Sequence, residues 1–488
     1  MFELAPELGP PVSDPADQLD GHMKRLRIGS RFDLGRPDAV AMAALALLVV
    51  ALVAGGASRV HELRLAVVEL ASLPLLLLAG RRLLAEKEAE THRFALGILL
   101  ATACLPLIQL IPLPPAIWTR LPGREGLSLA LRVTGLEPGF VPLSLTPDRT
   151  WRSVLALLPP VAMFLGVLAM KPLGQVRLVQ ALTAGAFLSL LLGAAQIASG
   201  GEALYLWATT AAGNMAGFFA NRNHLATLCL MTIPFVVLSG AGAVRHRSAS
   251  RRLELWTSIV LLGLITVSLG VIRSRAGVIL FGPVLSASLL AAWLTTGGGR
   301  PRPAVLALAA VSATAAAALG AFGLGPLIAR FDTGGSPEGR FENWPVTYQA
   351  AETYLPLGSG FGSFDAVFRS VEPRERLDST FFNQAHNDYL ETLLEAGLPG
   401  GVLIVLFLVW FGRRALAAWR SPPSAQGDLQ KAAAIAIGAV LLHSAFDYPL
   451  RTATLAAVFA LCCGLLETFS WPQNHRRRSA RTGTGHED

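Results

Sequence analysis

Residues 259–272 read IVLLGLITVSLGVI and contain no charged side chain. Apolar residues occupy nearly every side of a helix of this sequence, whereas a surface helix of a soluble protein is apolar along one stripe only. With its flanks, the run approaches the roughly 20 residues that span a bilayer. Similar runs lie at Ala39–Ala54 and Leu70–Gly80. The run therefore predicts a membrane-spanning helix, and its repetition predicts a polytopic membrane protein.

The composition of the whole chain agrees with this prediction. Of the 488 residues, 52% are hydrophobic and 15% are charged, and the mean hydropathy is +0.50. Soluble domains carry about 25% charged residues, so these values exclude a soluble enzyme. The four cysteines lie inside apolar runs, where a cysteine is a small hydrophobic residue rather than half of a disulfide or a metal ligand.

Twelve candidate spans follow one another along the chain. They begin near Asp38, Leu65, Ala95, Trp151, Val179, His224, Glu254, Ala276, Pro303, Gly400, Lys431 and Thr452. The sequence thus predicts an all-α protein of about twelve transmembrane helices within residues 38–470. The 37 mostly polar residues before the first span lack the pattern of a cleaved signal peptide, so the first span is expected to remain as an uncleaved anchor.

Basic residues predict the orientation, because Lys and Arg are retained on the cytoplasmic side of a membrane. With the N-terminus inside, all four lysines and most arginines fall in cytoplasmic segments. We therefore expect cytoplasmic tails at residues 1–37 and 471–488, the second of them basic. The basic residues of these cytoplasmic segments also account for the pI of about 9.8. Nucleic acid is therefore not expected as a partner.

One outer loop, residues 327–398, is long enough to fold. Loops of this length in a compact protein are usually functional or disordered. Two helices are predicted inside it, one marked by Trp344, Tyr348 and Ala351 with Pro345 in its first turn, and one by Tyr389, Leu390, Leu393 and Leu394. The second helix is expected to stop at Gly397 and Pro399. The loop is thus predicted to be a helical cap over the outer face of the membrane, between spans nine and ten; the resemblance described below implies that this face is periplasmic.

Two stretches on the outer side are predicted to be turns, the second of them inside the loop 327–398. Residues 116–150 are rich in Gly and Pro and end in Thr146-Pro147-Asp148, a helix-start signal. They are expected only to turn the chain into the fourth span. Residues 358–362 read GSGFG but lack the preceding strand and the following Lys and Ser or Thr of a phosphate-binding loop. A tight turn with close backbone packing is expected there.

Ionisable residues in or beside a membrane are costly and mark functional sites. Those on the outer side come from five places in the sequence: Arg222, Arg273 with Arg275, Arg340, His386, and Asp447 with Arg451. Converging arginines bind phosphate bidentately without losing their charge. For Arg222, anchoring to lipid headgroups is the alternative. Arg273 and Arg275 interrupt a helical hairpin with almost no loop, so at least one should face the protein interior or a polar cavity.

His386 stands at the predicted start of a helix, where the positive end of the helix dipole disfavours an imidazolium ion. A neutral imidazole can accept a proton, which makes His386 a candidate general base. A capping or structural histidine, bonded to Asp388 or to a backbone carbonyl, is the alternative. His443 and Asp447 are four residues apart and share a helix face. They are predicted to form a buried structural pair, with His443 as the reserve base.

The order and spacing of these pieces over about residues 205–450 resemble the O-antigen ligase and O-antigen polymerase superfamily. The pieces are Ser274-Arg275-Ala276-Gly277 at a span end, Arg340 and the Gly358-x-Gly360-x-Gly362 turn in a long outer loop, His386-Asn387-Asp388-Tyr389-Leu390, and Gly397-Leu398-Pro399-Gly400. The first 37 residues and segment 116–150 have no counterpart in this resemblance.

The resemblance implies a GT-C-like helical fold in a bacterial inner membrane, with both termini cytoplasmic and the active site periplasmic. It implies a glycosyltransferase of polysaccharide or lipopolysaccharide biosynthesis that uses an undecaprenyl-pyrophosphate-linked glycan as donor and needs neither metal nor other cofactor. A single displacement at the anomeric carbon would invert its configuration. Lipid A core or a second glycan is the expected acceptor, and membrane lipids are the surrounding partners. A transporter or flippase of lipid-linked sugars is the alternative.

The same resemblance implies which residues act. Arg275 and Arg340 are expected to hold pyrophosphate, and His386 to take part in the transfer. Substrate binding is expected of Arg222, Asn223, Arg273, Asn387, Asp388 and Tyr389. His443, Asp447 and Arg451 are kept in reserve.

Overall fold

The computed structural model shows a chain that is mostly α-helical. It describes residues 38–57, 62–86, 90–201, 203–207, 213–245, 249–296, 306, 309, 310, 313, 340–376 and 382–468. Within these ranges lie sixteen α-helices, two short 3-10 helices and one pair of two-residue strands.

The elements are given in chain order in two groups. The first group is α1 Ala39–Ala54, α2 Glu62–Ala85, α3 Arg93–Gln109, β1 Pro112–Leu113, α4 Pro115–Trp118, α5 Glu125–Val133, β2 Val141–Pro142, α6 Pro147–Ala156, α7 Leu158–Leu168 and α8 Pro172–Ala198. The second group is α9 Arg222–Arg245, α10 Ala249–Ile272, α11 Arg275–Thr295, α12 Arg340–Thr353, α13 Phe364–Val371, a 3-10 turn Arg374–Arg376, α14 Asp388–Arg420, α15 Ala425–His443, a 3-10 turn Pro449–Arg451 and α16 Ala453–Glu467.

Seven helical stretches in the described ranges are long and apolar enough to cross a membrane. They are Glu62–Ala85, Pro147–Leu168, Pro172–Ala198, Arg222–Ala243, Arg252–Ile272, Arg275–Thr295 and Asp388–Arg420. Three shorter apolar helices, α1, α3 and α16, occur at other predicted spans. The prediction of an all-α, multi-pass membrane protein is confirmed. The number of twelve spans stays a prediction, and its ninth span, near Pro303, lies almost entirely outside the described residues.

Helix α9 is the centre of the bundle. In the most apolar part of its stretch Arg222–Ala243, 89% of the residues are buried, compared with 22–44% in the other six stretches. It packs against α10, α11 and α15. Its buried residues lie on all sides, as the sequence of an enclosed helix requires. The first turn of α9, which carries Arg222 and Asn223, is therefore held by neighbours around the whole helix.

One carboxylate connects α16 with the end of α14 and with the start of α3. Glu467, the last residue of α16, accepts hydrogen bonds from Nε1 of Trp410 at 2.8 Å and Nε of Arg414 at 2.7 Å, both on α14. Its other carboxylate oxygen lies 2.9 Å from Nδ1 of His92, the residue before α3. Because the buried carboxylate is satisfied by several donors, it fixes this end of α14 against α3 and α16.

Helix α14 is broken at Gly397, where φ is 55° and ψ is −147°. A Cβ atom at Gly397 would lie 2.2 Å from the carbonyl oxygen of Pro356, so a larger residue does not fit there. The break occurs where the sequence predicts the end of a helix. It separates a polar section, residues 388–396, from a longer apolar section.

The turn at residues 358–362 packs onto this break. The backbone N–H groups of Ser359 and Gly360 donate to the carbonyl oxygens of Leu394 and Glu395, both at 2.9 Å. Gly360 has a φ of 104°, and a Cβ atom there would lie 2.2 Å from Oγ of Ser144. The predicted tight turn with close backbone packing is thus confirmed, and it holds the first section of α14 in place.

Helices α12 and α13 form a small core with the first section of α14. Its buried members are Ala350, Ala351, Phe364, Val367, Phe368, Ala385 and Leu394. The predicted helix at Trp344 is therefore present as α12, but its buried side differs from the prediction. Tyr348 is 50% exposed, and Asn343 and Thr347 are buried instead. The reason is that polar side chains of α12 face the protein, which apolar periodicity does not detect. The position of this unit outside the membrane stays a prediction.

Residues 110–146 do more than turn the chain, which corrects the sequence interpretation. Strands β1 and β2 pair antiparallel, with Pro112 opposite Pro142. The backbone N–H of Leu145 then donates to the carbonyl oxygen of Ser359 at 2.9 Å, and Oγ1 of Thr150 donates to that of Phe361 at 2.7 Å. The segment between α3 and α6, together with the first turn of α6, therefore supports the glycine-rich turn, which itself packs on α14.

Candidate functional site

Four helix ends meet at one end of the bundle. Gly277, in the first turn of α11, approaches Ala226 in the first turns of α9 so closely that a Cβ atom at Gly277 would lie 2.8 Å from that of Ala226. Asn223 on α9 bonds to Asp447, just after α15. Asp447 in turn contacts His386, just before α14. The starts of α9, α11 and α14 and the end of α15 are thus brought together, and each carries residues that the sequence predicts to act.

His386 and Asp447 form the centre of this arrangement. Nδ1 of His386 lies 3.2 Å from Oδ1 of Asp447. Oδ2 of the same carboxylate accepts a hydrogen bond from Nδ2 of Asn223 at 2.6 Å, and Oδ1 also accepts from the backbone N–H of Tyr448 at 3.0 Å. The side chains are nearly buried, with exposed fractions of 10% for His386 and 1% for Asp447. One carboxylate therefore holds an imidazole and an amide from two distant parts of the chain.

The carboxylate also selects the tautomer of His386. A carboxylate can only accept a hydrogen bond, so the contact requires the proton on Nδ1. Nε2 then keeps its lone pair and can accept a proton from another group. The alternative of a histidine bonded to Asp388 or to a backbone carbonyl does not describe this contact, because the partner is Asp447.

Aromatic rings restrict the orientation of the imidazole. The ring of Tyr448 stands edge-on to it with the centroids 4.7 Å apart, and the ring of Phe382 lies 5.4 Å away on centroids. His386 has a left-handed backbone, with φ of 50°. The next residue, Asn387, is the N-cap of α14. His386 thus precedes the helix rather than opening it, and its ring is held by packing as well as by the carboxylate.

Arg451 is engaged by three carboxylates on successive turns of α14. Its guanidinium nitrogens lie 3.6 Å from Asp388, 3.2 Å from Glu391 and 3.1 Å from Glu395. Burial alone would lower the pKa of Arg451, but the three carboxylates raise it above its ordinary value. Glu391 also accepts from the backbone N–H of Ala385 at 2.8 Å. Arg451 therefore fixes the start of α14, and with it the segment that carries His386.

Asn387, Asp388 and Tyr389 each make a hydrogen bond that stabilises the fold. Oδ1 of Asn387 accepts from the backbone N–H of Tyr389 at 3.1 Å, as a helix N-cap does. Asp388 accepts from Oγ of Ser444 at 2.8 Å. The hydroxyl of Tyr389 donates to the carbonyl oxygen of Leu441 at 2.6 Å. These contacts attach α14 to the end of α15, and substrate binding by the three residues stays a prediction.

The arginines of the sequence prediction lie at helix starts. Arg222 opens α9 and donates to Oδ1 of Asn214 at 2.5 Å. Arg275 opens α11, is half-buried, and follows the N-cap Ser274, whose side chain accepts from the N–H of Gly277 at 3.2 Å. Arg273 is exposed and has φ of 54°. Arg275 is therefore the member of this pair that turns toward the protein.

The backbone of Arg340 opens α12, and one turn later α12 touches the histidine segment. Nε1 of Trp344 donates to the carbonyl oxygen of Ala385 at 3.1 Å. The Trp344 ring also lies 6.4 Å, on centroids, from that of Phe446, next to Asp447. The start of α12 thus belongs to the same end of the bundle as His386, although the Arg340 side chain lies outside the described set.

His443 has a side-chain partner that the sequence does not predict. Helix α15 ends at His443, and Nδ1 of this residue lies 2.8 Å from Oγ1 of Thr227 on α9. Asp447, in the turn that follows, bonds to His386 and Asn223. Both residues are buried, and the backbone N–H of Asp447 donates to the carbonyl oxygen of His443 at 3.0 Å. Their interpretation as a buried structural pair stays a prediction. The contacts with Thr227 and His386 were not predicted, because these residues are distant in sequence.

Sequence reasoning also missed the carboxylates of Glu391 and Glu395. Asp388, Glu391 and Glu395 recur at the spacing of one helix face, which is a detectable signal for a shared cation. That signal gives no information on which arginine is the cation. Arg451 follows some 56 residues after Glu395, and nothing in the local pattern connects them.

Replacing Arg451 with glutamine should destabilise the protein by about 3 kcal/mol, the low end for breaking a buried ion pair, since the side chain is 23% exposed. The reason is that three carboxylates would lose their shared cation. Thermal unfolding in detergent measures the effect. Arg369→Gln is the matched control, because Arg369 pairs with Asp365 and its side chain is 53% exposed, so its loss should cost about 1 kcal/mol or less. Equal shifts in the two variants would contradict this role of Arg451.

Comparison with known proteins bears on this geometry. Residues 259–405 match the family described as O-antigen ligase. The matched range includes the start of α11 with Arg275, all of α12 and α13, and the segment that carries His386. No curated protein matches the chain. The match coincides with motifs on which the resemblance rests, and it supports the O-antigen ligase and O-antigen polymerase superfamily as the family that this part of the chain resembles.

Proposed function

We propose that the protein transfers a glycan from undecaprenyl pyrophosphate to an acceptor hydroxyl at the periplasmic face of a bacterial inner membrane. The match of residues 259–405 to the O-antigen ligase family supports glycan transfer of the ligase or polymerase type. The observation that carries the finer proposal is the contact of His386 with Asp447, which leaves Nε2 able to accept a proton. This pair lies at the end of the bundle where α11 begins with Arg275.

The reaction is a single displacement at the anomeric carbon of the donor. The acceptor oxygen forms a bond to this carbon as the bond from the carbon to the phosphate oxygen breaks. The electron pair of the broken bond leaves with undecaprenyl pyrophosphate. The acceptor hydroxyl loses its proton to Nε2 of His386. Because the new bond forms on the face opposite the leaving group, the configuration inverts.

The arginines are assigned to the leaving group. Negative charge develops on the departing phosphate, and guanidinium groups fixed in a water-poor site stabilise it. We assign this role to Arg275 and Arg340, with Arg222 and Arg273 as further donors to the phosphates. With this charge carried by arginine, the proposal assigns no metal ion and no cofactor to the reaction.

The remaining predicted residues are assigned to positioning. Asp447 holds the tautomer and orientation of His386, and Asn223 holds Asp447 from α9. Arg451 fixes the start of α14 by pairing with the three carboxylates of this helix. The helix cap formed by Asn387 also fixes it. His443 remains the reserve base because its imidazole lies at the same end of the bundle as His386. Asp388 and Tyr389 attach α14 to α15, and contact with the substrate is assigned to them only as a second role.

A transporter or flippase of lipid-linked sugars is the competing function. Transporter sites usually lie near the bilayer midplane between repeated halves, whereas the candidate residues gather at one end of the bundle. An assay with purified protein and lipid-linked donor separates the two functions. Release of free undecaprenyl pyrophosphate supports the transferase. Movement of intact donor across liposomes without release would support the transporter.

The acceptor is left open between lipid A core, a second lipid-linked glycan and a protein. Each offers a hydroxyl or a similar nucleophile, and each needs the same base and the same arginines. Supplying one defined donor with each acceptor in turn, and identifying the product, distinguishes ligation from polymerisation.

Reporter fusions should place residues 327–398 in the periplasm and residues 244–252 in the cytoplasm, because basic loops stay inside. A fusion near Pro373 tests the first position. A fusion within the tail at residues 471–488 is the control and should report the cytoplasm. A cytoplasmic signal from the fusion near Pro373 would end the proposed mechanism, because the cap residues would then face the wrong compartment.

A further inference from the structure

The segment between α3 and α6, residues 110–146, presents large apolar side chains outward. The exposed fractions are 63% for Leu129, 78% for Val133, 60% for Leu136 and 70% for Phe140. A group of large apolar side chains that is exposed in this way marks an interaction site in proteins. No part of the proposed transfer reaction uses this surface.

The outward orientation is fixed by polar contacts on the inner side of the segment. Nε1 of Trp118 donates to the carbonyl oxygen of Gly139 at 2.9 Å. The guanidinium of Arg124 is buried, donates to the carbonyl oxygen of Leu143 and lies 6.0 Å from the ring centre of Tyr354. The apolar side chains therefore belong to an anchored structure that holds them away from the protein.

Helix α5 has an inner and an outer side. Leu127 and Leu131 are half-buried against the protein, whereas Leu129 and Val133 are exposed. Arg132, which is also exposed, stands at the edge of the outer side. A helix that is apolar over most of its circumference and has a basic residue at its polar edge is typical of the membrane interface.

The outer side continues the apolar surface of the helices on both flanks. On α3, which leads into the segment, Leu107 is 42% and Ile108 is 54% exposed, and the surface continues through Ile111 at 52%. On α6, which follows it and starts the candidate span Pro147–Leu168, Trp151 is 53% exposed. A tryptophan in the first turns of a span is typical of the interface between lipid and water. The segment thus leaves and rejoins the bundle on surfaces that face lipid.

We propose that residues 110–146 lie in the interface of the bilayer that the chain spans, at the end of the bundle that carries His386. The outer side of α5, with Leu136 and Phe140, contacts phospholipid acyl chains, and Arg132 reaches the headgroups. This proposal concerns the surroundings of the site and is independent of the transfer reaction.

Fluorescence quenching in proteoliposomes tests the proposal with the full-length chain. Val133→Cys is labelled with a nitrobenzoxadiazole dye in a Cys104→Ser background, because the other three cysteines are buried. The liposomes contain phosphatidylcholine with or without bromine on the acyl chains. Gln349→Cys on α12, also exposed, is the reference position. We expect a blue-shifted emission and a large loss of fluorescence in brominated liposomes for the label at Val133, and little loss for the reference.

A second labelled position checks the first, and either of two results would overturn the proposal. A label at Phe140→Cys should behave like the label at Val133, so the result does not depend on one variant folding well. Emission typical of water, with no more quenching than at Gln349, would overturn the proposal. A blue shift without quenching by brominated lipid would also overturn it, because the surface would then contact protein, either a second copy or another chain.

Discussion

Replacing His386 with glutamine is expected to reduce glycan transfer by about 10²–10⁴, the range that general-base catalysis supplies. The amide of glutamine can still donate to Asp447, so the shape of the site and its contact with α9 are preserved. Its carbonyl oxygen can accept a hydrogen bond from the acceptor hydroxyl but cannot take up the proton. The variant should therefore insert normally and bind donor, and fail only in the transfer step.

Transfer from a defined lipid-linked donor, measured together with donor binding, checks this expectation. His92→Gln is a matched control, since His92 pairs with Glu467 at the end of α16 that is remote from Arg451, and it should keep normal transfer in folded protein.

A different outcome would reassign the histidine. If His386→Gln retains transfer but loses donor binding, His386 is a pyrophosphate ligand. His443, or an acid such as Asp388, would then become the candidate base. His443 lies close enough to the site to be a candidate, because its ring contacts Thr227 on α9, the helix that also carries Asn223.

Replacing Arg275 or Arg340 with alanine should lower transfer by about 10²–10³, the usual loss when one stabiliser of developing negative charge is removed. The lysine variants should remain poor, because an ammonium group is a point charge and cannot form the two parallel hydrogen bonds of a guanidinium with phosphate. Single-turnover transfer with saturating donor measures the loss.

Arg369 supplies the control for these variants. It lies on α13 and bonds to Asp365 at 2.6 Å, outside the proposed site, so Arg369→Ala and Arg369→Lys should keep normal transfer. Near-normal transfer in the lysine variants of both Arg275 and Arg340 would show that charge alone is sufficient. The interpretation of the site as bidentate would then be wrong.

The sequence predicts the class of fold well because its dominant physical signal is local. Apolar runs and basic loops each report on a neighbourhood of about twenty residues, the length of a span. The same locality explains the helix break at Gly397 and the turn at Gly360, which rely on residues that tolerate unusual backbone angles. Candidate residues such as Arg275 are also detectable, because charge beside a membrane is rare.

The partners within the site could not be predicted in this way. Asn223 and Asp447 are 224 residues apart and His386 and Asp447 are 61 apart, and only the packing of α9 against α15 brings the first pair together. A local rule instead paired Asp447 with His443, which is close in sequence. Segment 110–146 was underestimated for a similar reason, since its two-residue strands and its contacts with residues 359–361 leave no periodic pattern.

The ion cluster around Arg451 has a consequence for biosynthesis. The ribosome makes Glu395 56 residues before Arg451, and helix α15 is made between them. During that interval the carboxylates of α14 lack the guanidinium that neutralises them, so they have to remain in contact with water while the apolar section beyond Gly397 enters the lipid. This part of the protein is therefore completed late, and a chain released before Arg451 would leave the three carboxylates without the cation that pairs with them.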